Sequence, residues 1–247
     1  MAHLSRHELK HQDEFTLAVS RAKEFLATHG REIRTGLLLG VLVVGTVTGF
    51  RYYERGQEDE ANLALGQALR VFHGFVQPAN TVALTNPNAP NFPPGLTFDS
   101  SEEKYEEALQ EFADVFARFP KRKAGGIARA YMGLSQGQLG RHDEAVRTLE
   151  ESARNSDPEI SALAKFSLAG EYVRTGKAVE AQKIYQELLD HPVVGLSPSM
   201  VRMALADSYR STRPEEARKI YQELGAQFAY DPSLTAALSS LSESLPE

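Results

Sequence analysis

Three histidines open the chain at a spacing a metal ion could use. His3, His7 and His11 fall at i, i+4 and i+8 and could project from one face of a helix. Ser5, however, reads as a helix N-cap, so His3 precedes the helix and at most two imidazoles stay in register. Two nitrogens without a carboxylate or thiolate at suitable spacing make a weak site, and solvated surface histidines are the better reading. No metal and no cofactor is expected. The other groups capable of proton chemistry are paired carboxylates, Glu102-Glu103, Glu106-Glu107 and Glu215-Glu216. All begin predicted helices, where acid favours the helix dipole and stays hydrated. The sequence carries no G-x-S-x-G, H-E-x-x-H or P-loop pattern, and "GLLLGVLVVG" has no strand or acidic residue to frame a dinucleotide turn. The chain is therefore expected not to be an enzyme.

Composition excludes further chemistry. With no cysteine among 247 residues there can be no disulfide, thiolate metal site or cysteine nucleophile, and either redox compartment is compatible. The net charge is −6 and no Lys/Arg block runs along a helix, so nucleic acid is not an expected partner. The apolar, charged and aromatic fractions are those of a chain able to build a core.

The elements that must position any site divide the chain in three. Residues 1–32 are expected to be a cytoplasmic amphipathic segment. "LSRHEL" joins a capping box, Ser5 with Glu8, to a staple between Leu4 and Leu9. Phe15, Ala18, Val19, Ala22, Phe25 and Leu26 then share one face of a helix predicted to end near Gly30. That face could lie on a membrane or on a protein. Residues 33–53 are expected to form a single transmembrane helix. Thr35 to Phe50 carries no charge, Arg34 and Arg51 can snorkel, and Tyr52-Tyr53 sits where an aromatic belt belongs. Arg21, Lys23, Arg31 and Arg34 precede the span against Arg51, Arg55 and Arg70 after it, a bias that puts the N-terminus in the cytoplasm. Gly36 with Gly40, and Gly45 with Gly49, are small-xxx-small pairs on opposite faces of that helix, each able to meet another membrane helix or a second copy of the chain.

Residues 54–247 repeat themselves. "KIYQEL" occurs at Lys183 to Leu188 and again at Lys219 to Leu224. Ala108, Ala145, Ala181 and Ala217 recur at intervals of 37, 36 and 36, each followed four residues on by Phe112, Leu149, Tyr185 or Tyr221. Val115, Ser152, Leu188 and Leu224 complete the face at i+7. Upstream stand Met132-Gly133, Leu168-Ala169 with Tyr172, and Leu205-Ala206 with Tyr209; Gly140 and Gly176 end helices, and Pro214 opens one. The first repeat is split: its helices are expected at Glu60 to Phe75 and Tyr105 to Pro120, around a Pro-rich insertion at 76–100.

This pattern resembles the tetratricopeptide repeat family, best in "AKFSLAGEYVRTGKAVEAQKIYQELLDHP", although the period is 36 and Trp is absent. The resemblance implies an all-α solenoid of helix hairpins behind the transmembrane helix, with an inner face that binds protein. In its register the inward positions are Ile127, Ala130, Leu134, Leu163, Phe166, Val173, Met200 and Met203, with Arg174 and Arg210 near one end, and they are not packing positions. The Lys and Asn with which some members hold a peptide carboxylate are missing, Ala130 and Leu134 standing in two of their places. An apolar, Met-lined groove suits a helix or an unfolded client. The competing expectation is that "DPSLTAALSSLSESL" folds back and fills the groove from within. Through "LLLGVLVVGTVTGFRYYERGQEDEANLAL" the chain also resembles the ancillary subunit family of the SecYEG translocon. That implies a bacterial inner-membrane protein with periplasmic repeats beside the translocon, periplasmic chaperones or secreted clients. A scaffold for another envelope complex is the alternative.

Overall fold

The computed structural model describes residues 6–76 and 96–245; within 6–41, side chains are described only at Ser20, Lys23, Thr35, Leu39 and Gly40. His3 and Ser5 lie outside the described residues, as do the side chains of His7 and His11. The described chain is all-α apart from one two-residue strand pair, and it divides into two compact units, Met1–Gln57 and Glu58–Glu247.

Helix α1, Arg6–Phe72, makes up all the described residues of the first unit. The expected end near Gly30 is therefore corrected: the chain stays helical there. A lone interior glycine costs a helix only about 1 kcal/mol, and neither a proline nor a turn residue follows it to stop the ladder. Residues 33–53 fall inside α1. Among the described residues no helix is both long and apolar enough to cross a membrane. Leu42, Val43, Val44, Val47, Phe50, Tyr52 and Tyr53 are all exposed, and Thr46 and Thr48 donate their hydroxyls to the carbonyls of Leu42 and Val44 at 2.7 and 2.6 Å. Gly40, Gly45 and Gly49 have open space around them, while Gly36 is not among the described glycines.

In the second unit the last turns of α1 pair with α2, Ser101–Arg118. Ala61, Leu65, Ala68 and Val71 bury their common face against Ala108, Phe112 and Val115. The first helix thus ends three residues earlier than expected. Two short parallel strands follow, β1, Phe75–Val76, and β2, Thr97–Phe98, with Phe75 opposite Thr97 and Val76 opposite Phe98. They join the two ends of the insertion, whose residues 77–95 lie outside the described chain. Ser100 then caps α2 by accepting from the Glu103 N–H at 3.0 Å, and Glu103 accepts in return from the Asp99 N–H at 2.9 Å.

Seven more helices follow: α3, Lys123–Gln138; α4, His142–Ala153; α5, Pro158–Arg174; α6, Ala178–Asp190; α7, Pro198–Tyr209; α8, Pro214–Gln227; α9, Pro232–Glu243. From α2 onward each packs on the next in chain order, and α3 packs on α5 and α5 on α7, so the first helices of successive hairpins also stack. The recurring alanines explain the close approach. Ala108, Ala145, Ala181 and Ala217 are completely buried, and the residues at i+4 and i+7 after each are buried beside them. Each large one, such as Tyr221 or Phe112, contributes about 1.5 to 3 kcal/mol by leaving water. Between α3 and α4 even an alanine is too large, since a Cβ on Gly133 would stand 2.6 Å from Leu149 Cγ.

The hairpin turns follow the sequence signals. Gly140 and Gly176 adopt φ of +74° and +79°, and the next amides, Arg141 and Lys177, donate back to Gln136 and Tyr172 at 2.9 and 2.7 Å. The third turn needs no glycine: Arg213 N–H reaches the Tyr209 carbonyl at 2.7 Å, and Pro214 starts α8. Helix α9 extends the stack beyond α8, where Leu238 and Leu245 close over Ala206, Ala217, Tyr221 and Leu224.

Candidate functional site: an apolar groove on the stacked first helices

The stacked helices leave an open groove of about 420 Å³ between α1, α3, α5 and the start of α7. Leu65 and Leu69 enter it from α1; Ile127, Tyr131 and Leu134 from α3; Ile160, Leu163, Phe166 and Ser167 from α5; and Met200 from α7. Its lip is the α6–α7 connection, Val194, Gly195 and Leu196, where Gly195 takes φ +90° and Val194 is 82% exposed. On α3 the groove face is i, i+4, i+7, the stripe left free when a helix is packed on its other sides.

Five inward positions read from the sequence therefore meet here: Ile127, Leu134, Leu163, Phe166 and Met200. The other five lie elsewhere. Ala130 is completely buried, about 60° round the helix from Ile127, so it is a packing position and the expectation that it was not is corrected. Val173 packs two turns beyond Phe166 against the cluster of Ala181 and Tyr185, and Met203 packs against that of Ala217 and Tyr221. Arg174 is held by Glu171, and Arg210 is the exposed C-cap of α7. Phe166 has two roles, since it lines the groove and packs edge-on against Tyr185. The fold-back expectation for the C-terminal helix holds at Met203, which packs in the cluster of Leu238, and is corrected at the groove. No residue of α9 lines the groove, because its apolar face is used on α8.

Leu65, Leu69, Tyr131, Ile160 and the Val194–Leu196 lip were not foreseen. Leu65 and Leu69 do carry an i, i+4 signal, but the lip is a loop, and no periodicity marks a loop.

The polar groups of the groove are nearly all committed. At one end Lys123 pairs with Glu159 and, at 3.6 Å, with Asp157. The bond to Glu159 is the main cause that raises the Lys123 ammonium above its ordinary value. Asp157 is held below the usual carboxylate range. Its burial works against this, but the N–H groups of Glu159 and Ile160, which it caps, and Lys123 prevail. Ser167 donates to the Leu163 carbonyl at 2.8 Å. Tyr131 differs: its ring is stacked on Phe112 at 5.1 Å and edge-on to Phe72 at 5.1 Å, and burial pushes its phenol up, so it stays protonated at neutral pH.

A second polar cluster joins α3, α4 and α5. The Glu171 side chain is completely buried, with Oε1 2.6 Å from His142 Nδ1 and Oε2 accepting from Arg174 Nε at 3.0 Å. Gly137 of α3 makes room for it, since a Cβ there would be 2.6 Å from Oε2. One carboxylate of each pair has a structural partner: Glu103 in the α2 cap, Glu106 with Arg141, Glu215 with Arg218 at 2.6 Å; Glu106 and Glu107 lie in the second turn of α2, so the expectation that they begin a helix is corrected. Among the described residues no group of three or more His, Asp or Glu is placed to hold a metal ion.

No protein-family model matches the chain, and no curated protein matches it.

Proposed function

We propose that the chain is a membrane-anchored α-solenoid of tetratricopeptide type whose groove holds an apolar segment of another polypeptide, on the extracytoplasmic side of the secretion machinery. The observation that carries this reading is the groove itself: about 420 Å³ of nearly apolar surface, built by first helices and left open. An open apolar groove of this kind is the usual form of a site that takes hydrophobic side chains. The anchor is supported by α1. Its exposed Leu42, Val43, Val44, Val47 and Phe50 cover more than half of the helix circumference, an arrangement that water penalises and hydrocarbon does not. The two threonines, bonded to their own helix carbonyls, suit the same surroundings. The solenoid is supported by the four buried alanine registers and the stacking of alternate helices.

The test places a photo-crosslinking residue at Val194, on the lip, in the full chain in cells. Translocon subunits or secreted clients among the products, lost when Met200→Glu is added, support the reading. Subunits of another envelope complex, lost in the same way, would favour the scaffold reading. Products unchanged by Met200→Glu would remove the groove from the function. Topology is checked separately in this cysteine-free chain. Single cysteines at Ser20 and Ser156 should differ, only the second reacting with an impermeant thiol reagent in intact cells.

A further inference from the structure

Among the described residues the apolar core of the second unit falls into two blocks. One cluster joins the last turns of α1, β2, α2 and α3, through Leu65, Phe98, Phe112 and Ala128. Two more, built from α5 to α9, share Tyr209 and Ile220 and so form a single block. Helix α4 lies between the blocks in the chain and belongs to neither. Its one large buried apolar side chain is Leu149. A shared close-packed core moves as one piece, and relative motion is expected where that core gives out.

The seam at α4 is also built differently from the blocks. Helix α3 turns glycines to it: a Cβ on Gly126 would meet Ile160, one on Gly133 Leu149, and one on Gly137 Glu171. Polar contacts fasten α5 to α4. Tyr172 donates to Glu150 Oε1 at 3.0 Å, Ser161 donates to the Ala153 carbonyl at 2.6 Å, and His142 Nδ1 stands 2.6 Å from the buried Glu171. The three buried side-chain polar atoms without a partner among the described residues, Ser135 Oγ, Gln136 Oε1 and Ser152 Oγ, are all on α3 and α4. Apolar contact is non-directional, so small faces can shift against each other. A buried carboxylate is directional, because leaving its partners would strand the charge.

The groove straddles this seam. Leu65 and Ile127 come from helices of the first block, Phe166 and Met200 from helices of the second, and α4 contributes no lining residue.

We propose that the second unit hinges at α4, its two blocks turning so that the groove widens and narrows, and that Glu171 is the pin that fixes the resting angle. The hinge does not depend on what the groove binds.

The test uses the full chain in detergent micelles. With no native cysteine, pairs of introduced cysteines can carry nitroxide labels whose separations are read by pulsed electron resonance. Gln110 of α2 and Lys183 of α6 are exposed and belong to different blocks, whereas Lys183 and the exposed Ser240 of α9 belong to one. The distribution of Gln110 to Lys183 distances should be about twice as broad as that of Lys183 to Ser240, and Glu171→Gln should broaden the first further and leave the second unchanged. A first distribution no broader than the second would overturn the hinge. A broad one that Glu171→Gln leaves unaltered would overturn the role of Glu171. If Glu171→Gln unfolds the chain, the Lys183 to Ser240 distances disperse as well, and His142→Ala then takes its place with the same two readings.

Discussion

The ring of Phe166 stands edge-on to the ring of Tyr185, centroids 5.7 Å apart and planes at 60°. One side chain thus belongs to both the groove and the core. Phe166→Glu should then lose ligand and also cost about 2 to 4 kcal/mol, because the charge would be set against a buried aromatic ring. Phe166→Leu should cost only about 1 kcal/mol. Met200, 46% exposed at the lip, separates the two effects, and Met200→Glu should change stability by less than about 0.5 kcal/mol. Urea unfolding midpoints of the three variants test this; equal losses for Phe166→Glu and Met200→Glu would show that Phe166 has no part in the core.

Gly137→Ala sets helix propensity against a steric clash. Alanine favours a helix over glycine by about 1 kcal/mol. The new methyl would press on Glu171 Oε2, and that carboxylate cannot retreat because His142 and Arg174 hold it. The clash should win by about 1 to 3 kcal/mol. Paired with Glu171→Gln in a double-mutant cycle, the two losses should fall well short of additive. A stabilised Gly137→Ala would mean that the carboxylate is free to move.

Ser152 should be improvable. Its hydroxyl is buried with no hydrogen-bond partner among the described residues, at the position where the other repeats place Val115, Leu188 and Leu224. Ser152→Ala removes the orphaned group at little cost in volume and should stabilise by about 0.5 to 1 kcal/mol. A lower melting temperature would reveal a partner for the hydroxyl.

The Tyr185 phenol is pushed up to about 12, chiefly by burial and then by the charge of Asp207. In the unfolded chain a tyrosine ionises near 10. The folded state therefore keeps its proton where the unfolded state has lost it. Stability from this group is complete below about pH 10 and falls away as the pH rises towards about 12. Urea midpoints should drop between pH 9 and pH 11 in the native chain and drop less in Tyr185→Phe. Equal slopes would place the phenol in water.

How much of this was legible follows from the range of each interaction. The register Ala108, Ala145, Ala181, Ala217 was readable because each alanine is tied to residues four and seven places on, within one helix. The register of the family that the repeats resemble placed Ile127, Leu134, Leu163 and Phe166 on a common surface. It erred at Ala130 because a first helix packs on both sides, and one stripe cannot show how wide the free sector is. The union of Glu171 with His142 and Gly137 spans three helices and leaves no periodic trace. The continuity of α1 through Gly30 was missed because a glycine signals a stop only when the following residues complete a cap.

The strand pair at the mouth of the insertion has a consequence for how this protein can change. Val76 and Phe98 are held side by side, so the chain leaves the first hairpin and re-enters it at one fixed seam. Parallel strands require a return path of about a dozen residues or more, which sets a lower bound on what lies between them and no upper one. Above that bound each doubling of length costs only about 0.6 kcal/mol in closure entropy. Residues 77–95 are therefore a cassette position, where lineages could gain or exchange whole segments, and where a reporter domain could be spliced in, while α1 and α2 keep their packing.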